Sequence, residues 1–447
     1  MRSGSDIPAP VYWGFLVFVF SIPIEGLKVG PFTVSKVFGL LFFAVYLVYY
    51  NPCFSHLPGR KSFPQWPAPL WGFGIYLLIW VLSGLALPDR FLSRLPGLLF
   101  TLIQLMLIFW VASGLLRNLE LARHSVIAFA GSTVFLACAM LAELPGFYEV
   151  IPLRAGPRVT ALGYDPNTLG LFLALGVIAL IGLRLNSLCK HWASRSLLLL
   201  SVVPLLMGII KTGSRTAVAI CAAGVLVNLA PSSKLKQKGI AWLLVGVVAI
   251  GMGYLILTDA TMVTRIDDTV EQGSTAGRTA IASTALSMIG ERPLLGWQPI
   301  AMWHTLAQRL SMRGERDAHN LYLHLFLEVG AMGALPFLFG LGWCGWNAWR
   351  RRNDHLGLIP FSLWLGMAVG NMAGTDYLMK SFWYVLALSV ATGPILSRRQ
   401  ARQPSDTVTQ DGRAHRNPSG SITVKSAAYE RGRIPFPLVR RGTRQPE

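Results

Sequence analysis

The chain has 447 residues, 53% of them hydrophobic and 14% charged. That leaves too little polar surface to wrap two or three soluble domains, so a bilayer is the solvent the composition fits. The net charge of +19, from 40 Lys and Arg against 21 Asp and Glu, would suit a nucleic-acid binder. Its distribution excludes nucleic acid as a partner, because the cations fall between apolar runs and in a polar tail, where they set topology and meet anionic membrane lipids.

About twelve apolar stretches reach the ~20 residues needed to cross a ~30 Å hydrocarbon layer. In chain order they are 11–33, 34–50, 69–87, 95–116, 124–143, 166–185, 196–212, 214–230, 239–257, 319–346, 356–375 and 377–396. Pro23, Glu25 and Lys28 interrupt the first, which predicts a short span followed by an outer turn. No basic, apolar and small-residue leader opens the sequence, so the first span is expected to insert uncleaved. Cys53, Cys138, Cys189, Cys221 and Cys344 show no Cys-x-x-Cys spacing and read as packing residues or reduced thiols.

Alternate loops collect the cations: Arg60 and Lys61, then Arg117 and Arg123, then Arg184, Lys190 and Arg195, then Lys234, Lys236 and Lys238, then Arg350 to Arg352. Translocating Lys and Arg is unfavourable, so this set and both termini are expected in the cytoplasm. Loops 144–165 and 258–318 are then extracytoplasmic. Within the longer one, Ile281, Ala285, Met288 and Ile289 form an apolar stripe opposite Thr279, Ser283 and Ser287, which predicts an amphipathic helix on or dipping into the outer interface. The expected organisation is an all-α membrane domain over 1–396 and a disordered basic tail over 397–447, rich in Arg, Gln, Ser, Pro and Gly. No internal repeat is evident, which disfavours transporter folds built from related halves.

Arg154 and Arg158 lie in an outer loop, where the charge rule does not call for cations. Asp165-Pro166-Asn167 is a helix start signal with Asp165 as its cap. Lys211 to Thr216 forms a tight outer turn with two cations and several backbone N–H groups at a helix start; it either holds a phosphate or marks the interface with a snorkelling arginine. Arg278 opens the amphipathic helix, where a cation opposes the macrodipole unless an anion binds nearby. Pro293, Gly296 and Trp297 read as turn and interface residues. Arg313, Arg316, Asp317, His319 and Asn320 precede the tenth span; His319 can take a proton from a hydroxyl, oriented by Asp317 or Asn320. His324 and Glu328, four residues apart, share a helix face, and an acid inside the bilayer is either functional or paired with that histidine. Asp267 and Asp268 read as a solvated turn. No Walker loop, zinc-ligand spacing or Gly-x-Ser-x-Gly elbow occurs.

Four segments together carry a resemblance: RVTALGYDPNTLG at 158–170, TGSRTAVA at 212–219, GRTAIASTALSMIGERPLLGWQP at 277–299, and AHNLYLHLFLEVGAMGALPFL at 318–338. In order and spacing, over about 150–390, the chain resembles the O-antigen ligase and polymerase family of bacterial membrane glycosyltransferases. The resemblance implies a GT-C-like helical enzyme of the inner membrane. Such an enzyme moves a glycan from undecaprenyl diphosphate to a hydroxyl acceptor on the periplasmic face, with no metal or other cofactor. Carried onto this sequence, Arg215 and Arg278 would bind the donor diphosphate and His319 would be the general base. Arg154, Arg158, Lys211, Arg316 and Glu328 would be substrate-binding candidates. Asp165 stands where the family often has Asn. The acceptor would be the lipid A core for a ligase or a growing polysaccharide for a polymerase, and the late outer loop favours the ligase type. A lipid-linked glycan flippase or other transporter is the reading from a different class, since about twelve spans and Glu328 would serve it.

Overall fold

A computed structural model describes residues 7–30, 32–50, 65–152, 157–185, 192–229 and 278–391, with Gly246, Gly253 and Val263. These residues are mostly helical. The N-terminal part runs α1 (Ala9–Ser21), β1 (Lys28–Val29), β2 (Phe32–Thr33), α2 (Val34–Tyr50), α3 (Pro69–Gly84), α4 (Asp89–Leu92), α5 (Leu95–Leu115) and α6 (Leu119–Leu141). There follow β3 (Glu149–Ile151), β4 (Arg158–Thr160), α7 (Pro166–Leu185), α8 (Trp192–Leu200), α9 (Val202–Lys211) and α10 (Arg215–Leu229). The C-terminal part holds α11 (Arg278–Glu291), α12 (Ala301–Arg309), α13 (Leu321–Arg350), α14 (Ile359–Gly370), a 3-10 turn at Asp376–Leu378 and α15 (Lys380–Ala391).

Each predicted apolar stretch contains helix, although of 239–257 only Gly246 and Gly253 are among the described residues, and the basic tail lies outside them. The first stretch becomes the short α1 followed by the antiparallel β1–β2 pair, as the interrupting Pro23, Glu25 and Lys28 foretold. The all-α expectation holds for the apolar stretches and misses β1–β2 and the antiparallel β3–β4 pair, both confined to loops. Helices α5, α6, α7 and α13 are long and apolar enough to cross a membrane; α1, α2, α3, α10, α14 and α15 are apolar but shorter.

Local chemistry sets the helix starts. Prolines occupy the first turn of α1, α3, α5 and α14, where a missing N–H costs nothing. The side chains of Asn118 and Asn320 cap α6 and α13 by accepting the N–H of Leu121 at 3.0 Å and of Leu323 at 3.1 Å. Helix α7 is buried along almost its whole length, from Leu169 to Leu183, and packs against α6, α9, α10 and α14. A helix apolar on every side needs such a ring of neighbours. Around it, α13 lies along α3, and α15 along α5 and α13. Trp71, Phe100, Phe339 and Trp346 stand exposed on the outward helix faces, as lipid-facing side chains do.

The starts of α7, α10 and α13 meet at one end of this bundle. Leu321 N–H donates to the Asn371 carbonyl at 2.9 Å, joining the start of α13 to the end of α14, and Asn371 Oδ1 accepts the Asp376 N–H at 2.8 Å. At the same end, the Tyr164 hydroxyl accepts the Gly26 N–H at 2.8 Å, and Lys380 pairs with Glu25. Arg184 and Arg350 to Arg352 lie at the far ends of α7 and α13.

The amphipathic helix forms as predicted, with Thr279, Ser283 and Ser287 exposed. Its stripe has a different partner from the one expected. Ile281, Ala285 and Met288 are buried against Met302 and Leu306 of α12 and Leu327 of α13, because those helices present a fixed apolar surface where lipid was anticipated. Gly330 interrupts α13 with φ of 60° and ψ of −168°. Into that break fits the segment after α11: Ala331 N–H donates to the Pro293 carbonyl at 2.8 Å, and Trp297 N–H to the Leu327 carbonyl at 2.6 Å. A Cβ on Gly330 would meet the Leu294 backbone at 2.2 Å, and one on Gly296 would meet Gly330 N at 2.6 Å, so this crossing admits glycine alone at both positions. Pro293, Gly296 and Trp297 therefore fasten α11 onto α13, with Trp297 Nε1 donating to the Met288 carbonyl at 2.8 Å.

Candidate active site

Strand β4 and the α9–α10 turn are held together by Arg158 and Asn167. Arg158, 5% exposed, donates from Nε to the Thr212 carbonyl at 2.7 Å and from Nη2 to Asn167 Oδ1 at 2.9 Å. Asn167 Oδ1 also accepts the Ser214 hydroxyl at 3.2 Å. These bonds fix the backbone that delivers Arg215, the first residue of α10. Asp165 Oδ1 accepts the Asn167 N–H at 2.8 Å, which is the capping role read from the sequence. Lys211 closes α9 and is exposed on the same turn. Arg154 lies outside the described residues.

Arg278, the first residue of α11, converges on the same place. Burial, then the charge of Arg215, weakens the hold of its guanidinium on the proton, and Asp165 opposes them. Two guanidiniums near enough to repel one another, each at a helix N-terminus, are chemically suited to an anion of more than one charge.

His319 adopts φ of 48°, a left-handed conformation uncommon for a residue with a side chain. Its N–H donates to Asp317 Oδ2 at 3.2 Å, and its Nδ1 lies 3.6 Å from the same oxygen. Burial lowers the imidazole's proton affinity; Arg316 and Arg278 lower it further, while Asp317 and Asp165 oppose them. The ring is thus neutral at pH 7. Arg316 itself has a buried Nε with no hydrogen-bond partner among the described residues.

Asp317 is the hinge of the arrangement. Burial would raise its carboxyl, yet the hydrogen bond and charge of His324, the Thr375 hydroxyl and His319 hold it well below the usual carboxylate range. Its Oδ1 is 3.0 Å from His324 Nδ1, and its Oδ2 accepts from Thr375. Behind it a polar string runs into the bundle. His324 Nε2 lies 3.8 Å from Glu328 Oε2 and 3.3 Å from the Tyr377 hydroxyl. Glu328, 2% exposed, accepts from the Tyr76 hydroxyl at 2.8 Å and from Trp80 Nε1 at 2.9 Å. The pairing of His324 with Glu328 is therefore present, together with aromatic donors that helical spacing did not reveal.

Asp376 adds a further acid. Burial, together with the carboxylates of Asp317 and Asp165, pushes its carboxyl up to about 7. Sequence reading named Asn167 only as part of a helix start signal and passed over Thr375, Asp376 and Tyr377, though an acid between the last two spans on the side of His319 was a usable signal for Asp376. Among the described residues no group of three or more His, Cys, Asp or Glu side chains converges as metal ligands. Asp267 and Asp268 lie outside the described residues.

Residues 200–338 match the family model described as O-antigen ligase. The match is confined to that segment, where the chain is similar to the O-antigen ligase family. The matched O-antigen ligase segment holds Arg215, Arg278, Arg316 and His319 and ends within α13; Arg158, Asp165 and Asp376, which complete the cluster, lie outside it. Comparison with curated proteins finds no match.

Proposed function

We propose that the chain is a multi-pass glycosyltransferase of the bacterial inner membrane, with about twelve spans and its site on the periplasmic face. In this reading it moves a glycan from undecaprenyl diphosphate to a hydroxyl acceptor, in the manner of an O-antigen ligase. The observation that carries this reading is the convergence of Arg215, Arg278 and His319 at one end of the helical bundle. The basic ends of α7 and α13 point away from that end, which supports an extracytoplasmic site.

Arg215 and Arg278 hold the diphosphate, a task that two guanidiniums perform in place of a divalent cation. Lys211 and the unsatisfied Arg316 Nε supply further positive charge around it. His319 acts as base: with Nδ1–H directed at Asp317, Nε2 faces the acceptor and takes the hydroxyl proton. The oxygen attacks the anomeric carbon, the bond from that carbon to the phosphate oxygen breaks, and its electron pair leaves with undecaprenyl diphosphate. Direct displacement inverts the anomeric centre. Arg158 and Glu328 serve as positioning residues, the former through the α9–α10 turn and the latter through His324.

Purified protein incubated with undecaprenyl diphosphate-linked glycan and a lipid A core acceptor tests the proposal. Acceptor-dependent release of undecaprenyl diphosphate is expected, insensitive to EDTA and reduced at least ~1,000-fold in Arg215→Ala, Arg278→Ala and His319→Ala. Near-normal turnover by His319→Ala would remove it from the mechanism, and an unchanged donor with the intact protein would favour transport. Transfer to a second lipid-linked glycan in place of the lipid A core would identify a polymerase.

A further inference from the structure

The cluster divides by charge. Arg215, Arg278 and Arg316 form a basic half, whereas a cavity of about 390 Å³ that includes Asp317 is lined by Trp303, Glu315, His324, Thr375, Tyr377 and Leu378 and by none of these arginines. We propose that this cavity holds the sugar ring of the acceptor, the ring that bears the attacking hydroxyl, and that it selects a ring without negative charge. The identity of the occupant as acceptor rests on the glycan-transfer reading; its place and chemical class rest on the cavity.

Three features lead there. First, the lining is two carboxylates, two hydroxyls, three aromatic rings, one of which carries one of those hydroxyls, and Leu378, which matches a pyranose: its hydroxyls donate to Asp317 and Glu315 while its C–H face lies against aromatic carbon. The volume falls in the range of small-molecule sites, roughly 300–1,000 Å³. A diphosphate or uronate would find each lining acid already paired, Glu315 with Arg94 and Asp317 with His324, leaving no spare cation to receive it, so the excess positive charge of the basic half draws it there instead. Second, the cavity walls are fixed. The Trp303 carbonyl accepts the Arg316 N–H at 3.0 Å, and the indole packs 6.2 Å from the His324 ring. The Arg94 guanidinium, 5.7 Å from the indole centroid, pairs with Glu315 and ties the α4–α5 loop into the rim. Third, Asp317 belongs to both halves, since the oxygen that accepts the His319 N–H is part of the cavity's lining group. A ring bonded to Asp317 is therefore next to the base.

Saturation-transfer NMR on the full-length protein in nanodiscs tests this with methyl glucoside, methyl N-acetylglucosaminide and methyl glucuronide. The two neutral glycosides are expected to show transfer that falls about ten-fold in Trp303→Ala and persists in Trp303→Phe, which keeps an aromatic face. The glucuronide is expected to bind weakly to the native protein and to gain in Glu315→Gln. Equal signals from native protein and Trp303→Ala, no transfer to either neutral glycoside, or equal binding of the glucuronide would overturn the proposal. In parallel, phosphorus NMR of farnesyl diphosphate is expected to show binding that Arg278→Ala abolishes and Trp303→Ala leaves unchanged. Diphosphate binding that survives Arg278→Ala contradicts the donor assignment while the glycoside result still decides the cavity.

Discussion

Burial and two neighbouring guanidiniums lower the proton affinity of the His319 imidazole, so the proposed base is neutral at physiological pH and the acid limb of the rate profile is expected below the ordinary imidazole range. Removing the Arg316 charge takes away one cause of that depression. In Arg316→Gln the acid limb of kcat/KM is therefore expected to move to higher pH, measured with donor held saturating; an unmoved limb would mean that a different group titrates. Asp376 is displaced in the opposite sense, up to about 7. As pH rises from about 4 to about 7 the unfolded chain releases this proton while the folded chain retains it, so the group lowers stability across that window and fully above it. Asp376→Asn cannot ionise and is expected to gain a few kcal/mol at pH 8 and little at pH 4, read as Tm in detergent at the two pH values. His319 was singled out in the sequence by the charges beside it. Asp376 was not, because its character comes from burial beside Asp317 and Asp165, which lie 59 and 211 positions earlier in the chain.

At the level of elements, the fit between the α11–α12 connection and the break in α13 fixes where Arg278 stands. Gly330→Ala would force a Cβ into the Leu294 backbone at a positive φ. It is expected to cost more than about 2 kcal/mol and to lower Tm by several degrees with loss of transfer. An unchanged Tm would show that the crossing is looser than described. Arg158→Ala removes the two bonds that brace the α9–α10 turn, and it should weaken donor binding through misplacement of Arg215; Arg158→Lys, without the bidentate fork, should not restore it. The apolar stretches announced the helices, and the hydroxyl-bearing face of α11 was read correctly from a 3.6-residue period. The partner of its apolar stripe was hidden, since periodicity says which side is buried but not against what. The β3–β4 pair was equally hidden, being three residues a side with no alternating pattern long enough to read.

At the scale of the whole molecule, Arg215, Arg278 and His319 stand at one end of a helical bundle, with basic segments at the other. The alternating charge pattern was legible from sequence alone, whereas the convergence of residues 215, 278 and 319 required the folding of α10, α11 and α13 onto a common end. The claim that this end faces the periplasm is tested most directly by single cysteines in a cysteine-free background. Gln308, exposed on α12 near the site, and Asn353, exposed beyond the far end of α13, are suitable positions. In spheroplasts treated with a membrane-impermeant maleimide, Gln308→Cys should be labelled and Asn353→Cys should react only after lysis. Labelling of Asn353→Cys in intact spheroplasts, with Gln308→Cys protected, would put the site in the cytoplasm and contradict the account.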